Sequence, residues 1–198
     1  QQPGKMKNAE AAGGRAAVGP VLRSVLLCMI LLVLAAAGCA ADPAAGLAPA
    51  AYRKPVRIGD IASTAVGEAS GMAASLRRPG CFWLLNDSGN GPLLFAAGPS
   101  GEDLGRVKVA GAANRDWEDM AAFRQAGLPY LLLADTGDNR AVRPACTLYL
   151  VPEPRMPGKP EMAAAPVRVK RTIRFRYPEG PRDCEAVAVD PGGKQALL

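Results

Sequence analysis

The sequence predicts an all-β protein, and three observations carry that prediction. First, "EASGMA" from Glu68, "DWEDMA" from Asp116 and "DCEAVA" from Asp183 superpose: Glu68, Asp116 and Asp183 coincide, then Ser70, Glu118 and Glu185, then Met72, Met120 and Val187. Second, Asp87 in "NDSGN" follows Met72 by fifteen residues, and Asp135 in "ADTGD" follows Met120 by the same interval. Third, short apolar or alternating runs lie between these marks, bounded by Gly, Pro, Asn and Asp, the grammar of strands and tight turns. Four short strands within the 48-residue step from Met72 to Met120 fit one blade of a β-propeller. A sandwich also strings short strands together, but does not repeat a whole pattern at this period. The expected architecture is a partial β-propeller over residues 56–198, about two and a half four-stranded blades, preceded by a helical leader.

The leader comes first in the chain. "SVLLCMILLVLAAAGC", residues 24–39, has an apolar core at 25–34, Arg23 before it and small residues up to Gly38 and Cys39. A run this short reads as a secretory h-region, because a membrane span needs about 20 apolar residues. Residues 1–38 are therefore assigned to a signal peptide, and the chain is expected to be exported. Residues 39–55, rich in Ala and Pro, form a tether.

The first unit then opens with a short strand in "GMAAS" and a turn at "RRPG". A fully apolar strand "CFWLL" follows, then a polar Gly turn, a third strand "PLLFAA" and a fourth "GRVKVA". The second repeats the order with "DMAAF", "QAGLP", "YLLLA" and "CTLYLV", and places its fourth strand over residues 167–177. There Val167, Val169, Ile173, Phe175 and Tyr177 alternate with Arg168, Lys170, Arg174 and Arg176, and only Arg171 breaks step. Such a basic face suits an outermost strand, since charge deters edge pairing; a polyanion-binding stripe is the alternative. The step from Met120 to Val187 is 67 residues, lengthened by the Pro-rich insertion "VPEPRMPGKPEMAAAPV". A propeller closes with about four to eight blades. Gln1 at the start and a final "GGKQALL" that reads as the entry to a strand point to a fragment of a longer protein, with the remaining blades expected beyond Leu198.

Composition narrows the chemistry. The 198 residues hold no histidine, which removes from this part of the protein Ser/His/Asp and Cys/His catalysis and most histidine-ligated zinc or copper sites. Of the formal charge of +6, the leader carries about half, leaving too little to argue for nucleic acid. With Cys28 in the leader and Cys39 at its end, Cys81, Cys146 and Cys184 remain; an odd number cannot all pair, and no spacing among them matches a metal or redox motif.

"AAGC" before the tether resembles the lipobox of bacterial lipoproteins. That resemblance implies acylation of Cys39, cleavage before it and anchoring in a lipid bilayer; a plain secretory signal is the alternative. Ala40, where an aspartate would signal inner-membrane retention, implies an outer-membrane, periplasmic or cell-surface location. Taken together, "EASGMAAS", "FWLLNDSGN", "LFAAGPSGEDLG", "DWEDMA", "LLLADTGDNRA", "LYLVPEP" and "DCEAVAVD" resemble a family of secreted bacterial β-propeller proteins, many of them lipoproteins, over residues 66–192. The acid-rich loops are more distantly similar to those of the β-propeller phytases, which use several calcium ions and no histidine, although a full set of that family's ligands is not present.

Connections between blades gather at one mouth of a propeller channel, so equivalent positions converge. On this reading Glu68, Asp116 and Asp183 form a ring, with Glu118 and Glu185 beside it. Hard oxygen ligands in an irregular group suit calcium. Arg115, Trp117 and Arg140 are the candidate ligand-binding residues: the arginines to neutralise an anion, Trp117 as a packing wedge or a binding platform. Asp87 and Asp135 read mainly as turn formers. The function expected is a membrane-anchored binding or scaffolding module for a small-molecule, anionic or protein ligand. The alternative is a calcium-dependent hydrolase of phosphomonoesters or esters.

Overall fold

The computed structural model describes residues 54–198; the predicted leader, Cys39 and the tether up to residue 53 lie outside them. Among the described residues there is no helix. Strands β1 (Ala69–Ala74), β2 (Phe82–Asn86), β3 (Leu93–Ala97) and β4 (Asp103–Ala110) form an antiparallel meander. A second meander follows in β5 (Trp117–Gln125), β6 (Leu128–Asp135) and β7 (Cys146–Pro152). Next come β8 (Ala163–Arg168) and β9 (Arg171–Phe175), and then a short hairpin of β10 (Ala188–Val189) with β11 (Ala196–Leu197). The first sheet has the order β1-β2-β3-β4-β8 and the second β5-β6-β7-β9. No closed barrel forms among the described residues.

The last strand of the second unit corrects the sequence reading. Residues 167–177 are two strands in two sheets: β8 runs parallel to β4 on the edge of the first sheet, and β9 pairs antiparallel with β7 in the second. The chain changes partners within two residues. Val169 donates its amide to Ala110 O (3.0 Å) and Lys170 donates its amide to Leu150 O (2.8 Å). Arg171, which broke the alternation, is the first residue of β9, just past this crossing. The Pro-rich insertion hid β8 because Pro166 cannot donate to a ladder; it is accommodated on an edge strand where the register shifts. The basic face survives the division, with Arg168, Lys170, Arg174 and Arg176 all exposed.

Strand periodicity sets the layers. In β6, Leu131 and Leu133 point into the layer between the two sheets, while Tyr130, Leu132 and Ala134 point to the opposite face. The inter-sheet layer is completed by Trp83, Leu85, Leu94, Val107 and Val109 from the first sheet and Trp117, Met120, Tyr149 and Val151 from the second. On the far face of the second sheet, Val187 and Val189 close over Tyr130, Leu132 and Leu150. Burial on both faces explains why "YLLLA" is continuously apolar.

Strands β1 and β5 run side by side in the same direction. Ser70 Oγ donates to Trp117 O (2.6 Å) near their starts, and Arg124 Nη2 donates to Leu76 O (3.0 Å) near their ends. Gly71 is the contact that allows this approach, since a Cβ there would lie 2.7 Å from Asp119 Cα. Gly71→Ala is therefore expected to lower stability by about 2 kcal/mol through overpacking. Gly67→Ala, whose Cβ meets nothing within 4 Å, serves as the control and is expected to stay within about 0.5 kcal/mol. Urea denaturation of the two variants checks the difference.

Candidate functional site

The site begins with two equivalent irregularities. The β1–β2 register shifts between Ala69 and Gly71, and the β5–β6 register shifts between Trp117 and Asp119. The bulged residues are Ser70 and Glu118, the pair that the sequence repeat superposes. A bulge adds an unpaired residue and re-aims its side chain, so Trp117 and Glu118 are consecutive and yet both are buried. Ser70 spends its hydroxyl on the Trp117 carbonyl. Glu118 projects a carboxylate instead.

Around that carboxylate lie two groups whose oxygens come within 4.8 Å of one another: Asp87, Asp116 and Glu118 in one, and Glu118, Asp183 and Glu185 in the other. Glu118 belongs to both. Gly137 presses its backbone against the cluster, for a Cβ there would meet Glu118 Oε1 at 2.1 Å and Asp116 Cγ at 2.5 Å. The segment carrying Asp183 and Glu185 is tied to the second sheet on both sides. Asp183 Oδ1 accepts the Asp138 amide (2.7 Å), and Cys184 O accepts from Thr136 Oγ1 (2.7 Å). Asp119 adds a third tie, accepting the Val187 amide through Oδ2 (2.9 Å).

Gathered carboxylates oppose one another's ionisation. Burial, a hydrogen bond with Glu185 and the charges of Glu185, Asp87 and Asp116 push the Glu118 carboxyl up to about 8. Burial and the Asp87 charge also raise Asp116. Asp138 goes the other way. Burial raises it, but the amides of Val142 and Arg143 and the charges of Arg143 and Arg140 outweigh that effect and hold it below its ordinary value.

Glu68, by contrast, lies outside both carboxylate groups. Its Oε2 accepts from Asn90 Nδ2 (3.2 Å) and its carbonyl accepts the Asp87 amide (2.9 Å), so it braces the loop that delivers Asp87. Asp87 itself, read from sequence as a turn former, is half-buried beside Asp116 and does both jobs, since its Oδ1 also accepts the Ser88 amide. Trp117 is fully buried against Tyr149, with ring centroids 6.3 Å apart, and donates Nε1 to Ala113 O (3.0 Å). Arg115 and Arg140 are exposed.

The cation built into this end of the fold is one the sequence reading missed, Arg143. It pairs with buried Asp135 (2.7 Å) and donates Nη1 to Gly137 O (2.6 Å). A single arginine in a turn carries no periodic signal, so only the fold distinguishes it from Arg140. The three cysteines described are thiols; Cys81 and Cys146 are buried and Cys184 is half-buried.

No protein-family model matches the chain, and neither a curated protein nor a solved structure matches it.

The raised Glu118 carboxyl fixes the sign of a pH effect. A group with its folded pKa above its unfolded value contributes stability that is full below the unfolded pKa and lost as pH rises through the folded one. For Glu118 that window runs from 4.5 to about 8. Without divalent cations, the melting temperature is expected to fall across this window. Glu118→Gln, neutral throughout, should flatten the profile, as differential scanning calorimetry at successive pH values will read.

Proposed function

We propose that the chain is part of a β-propeller held at the cell envelope through acylated Cys39, and that it works as a binding module whose carboxylate cluster takes up a divalent cation, calcium. Support for the propeller comes from the first strands of successive units. Met72 to Ala74 of β1, Met120 to Ala122 of β5 and Val187 to Val189 around β10 line one open cleft of about 350 Å³, as the innermost strands of adjacent blades line a channel. The observation that carries the cation is Glu118. It is 5% exposed and surrounded by four other acids. Among the described residues, no amide, hydroxyl or cationic side chain donates to it.

An all-oxygen, irregular set of carboxylates matches calcium better than magnesium, which demands near-octahedral ligands and keeps its waters. When bound, such an ion offers positive charge to hold a phosphate or carboxylate group of a ligand. Arg115 and Arg140, exposed nearby in sequence, would then meet the same anion. Because Glu118 holds a proton near neutrality, cation uptake must expel it.

A second reading, calcium-dependent hydrolysis of phosphomonoesters or esters, draws on the same residue. A carboxyl that titrates near neutrality suits general acid–base work.

Calorimetric titration with calcium at pH 7 tests the proposal. Uptake is expected with proton release, seen as heats that vary with the buffer's ionisation enthalpy. Glu118→Gln and Asp116→Asn should each weaken it about tenfold or more, the cost of about 1.4 kcal/mol. No uptake overturns the cation site. Turnover of a phosphomonoester or ester panel that Glu118→Gln abolishes transfers the assignment to the hydrolase.

A further inference from the structure

At the ends of β1 and β7, away from the carboxylates that precede β1 and β5, the molecule gathers charge of the opposite sign. The turn after β1 and the segment after β7 place Arg77, Arg78 and Arg155 around one open cleft of about 350 Å³, with Met156 as its apolar wall. None of the three is in an ion pair: the ion pairs among the described residues join Arg57 to Asp60, Arg143 to Asp135 and Arg182 to Glu179. Like charges gathered without an ion-paired partner repel, so something must hold the backbone beneath them.

That something is Glu153, which is 2% exposed. Its carboxylate accepts from Ser75 Oγ (2.5 Å), Trp83 Nε1 (3.2 Å) and the Leu76 amide (3.2 Å). Ser75 Oγ accepts in turn from the amides of Arg77 (3.2 Å) and Arg78 (2.9 Å), which fixes the turn displaying both side chains. Arg77 Nε donates to the Glu153 carbonyl (2.7 Å), so its two terminal amino groups remain for another partner. Arg155 follows two residues later on the same segment. One buried carboxylate thus sets both walls of the cleft, and no guanidinium is paired with it.

We propose that this cleft binds a phosphate-class oxyanion: a phosphomonoester group, free or as a lipid headgroup. Guanidinium forks match the paired oxygens of phosphate, and several converging cations favour a dianion over a single carboxylate. The cleft has room for an organic portion beside Met156. It is separate from the carboxylate cluster and rests on none of its residues.

The full chain is titrated with glycerol phosphate, with the arginine Nε–Hε resonances followed by NMR, and in parallel is sedimented with phosphatidic acid or phosphatidylcholine vesicles. Salt-sensitive binding to one phosphomonoester source is expected, with phosphatidylcholine left unbound. Binding to glycerol phosphate identifies a soluble ligand; binding to phosphatidic acid vesicles alone identifies a headgroup. Arg78→Gln with Arg155→Gln, both exposed, should weaken binding at least tenfold at unchanged melting temperature and unchanged calcium uptake. Arg174→Gln with Arg176→Gln, on the basic face of β9 and beyond it, should leave binding intact. The proposal is overturned if neither source binds, or if the β9 variant loses as much as the cleft variant.

Discussion

Everything in this structure depends on how closely the leading strands of successive units lie. Gly71 lets the backbone of β1 rest against Asp119 of β5, and the Ser70 hydroxyl reaches the Trp117 carbonyl across the same gap. Asp119 then extends its carboxylate to the Val187 amide, which ties in the segment that follows. A fixed lateral spacing between equivalent strands means that equivalent positions end up as neighbours. The repeat is thereby turned from a pattern along the chain into a cluster in space.

The cluster follows from that spacing together with the bulge. A regular β5 would alternate Trp117 and Glu118 between faces, one in the core and the other away from it. The extra residue lets the indole fill the inter-sheet layer while the carboxylate reaches Asp87 and Asp116 on one side and Asp183 and Glu185 on the other. Bringing these acids together costs electrostatic free energy, which the fold meets by keeping Glu118 protonated near neutrality. Short ties such as Asp138 to Asp183 hold the acids in place, and a cation or protons would relieve their repulsion.

Much of the architecture was legible in the sequence, because it follows from local pattern. Continuous apolar runs such as "YLLLA" marked strands buried on both faces, and Glu68 and Asp116 each stand one residue before a strand, whereas Asp183 lies in an irregular segment five residues before β10. The superposition even paired Ser70 with Glu118, the two bulged residues, although the bulge itself left no signature in residue type. What was lost depends on where the chain goes next. Residues 167–177 keep a two-residue period straight through a change of sheet, because alternation records faces and not partners; only Arg171 betrayed the crossing. Glu68 shares its aligned position with Asp116 and Asp183, yet it turns to Asn90 instead of joining them. Asp87 made good turn chemistry and so concealed its place beside Asp116. Arg143 and Glu153 sit in loop and strand-end positions where sequence gives no sign of burial.

The central claim is that leading strands of successive units converge so that Glu118 holds one cation with the acids on either side of it. Anomalous diffraction from crystals of the chain grown with terbium, a calcium surrogate, tests this directly. The account predicts a peak within about 2.3–2.6 Å of a Glu118 oxygen and of at least one neighbouring carboxylate. A peak elsewhere, or Asp116 and Asp183 found at opposite ends of the sheets, would contradict it.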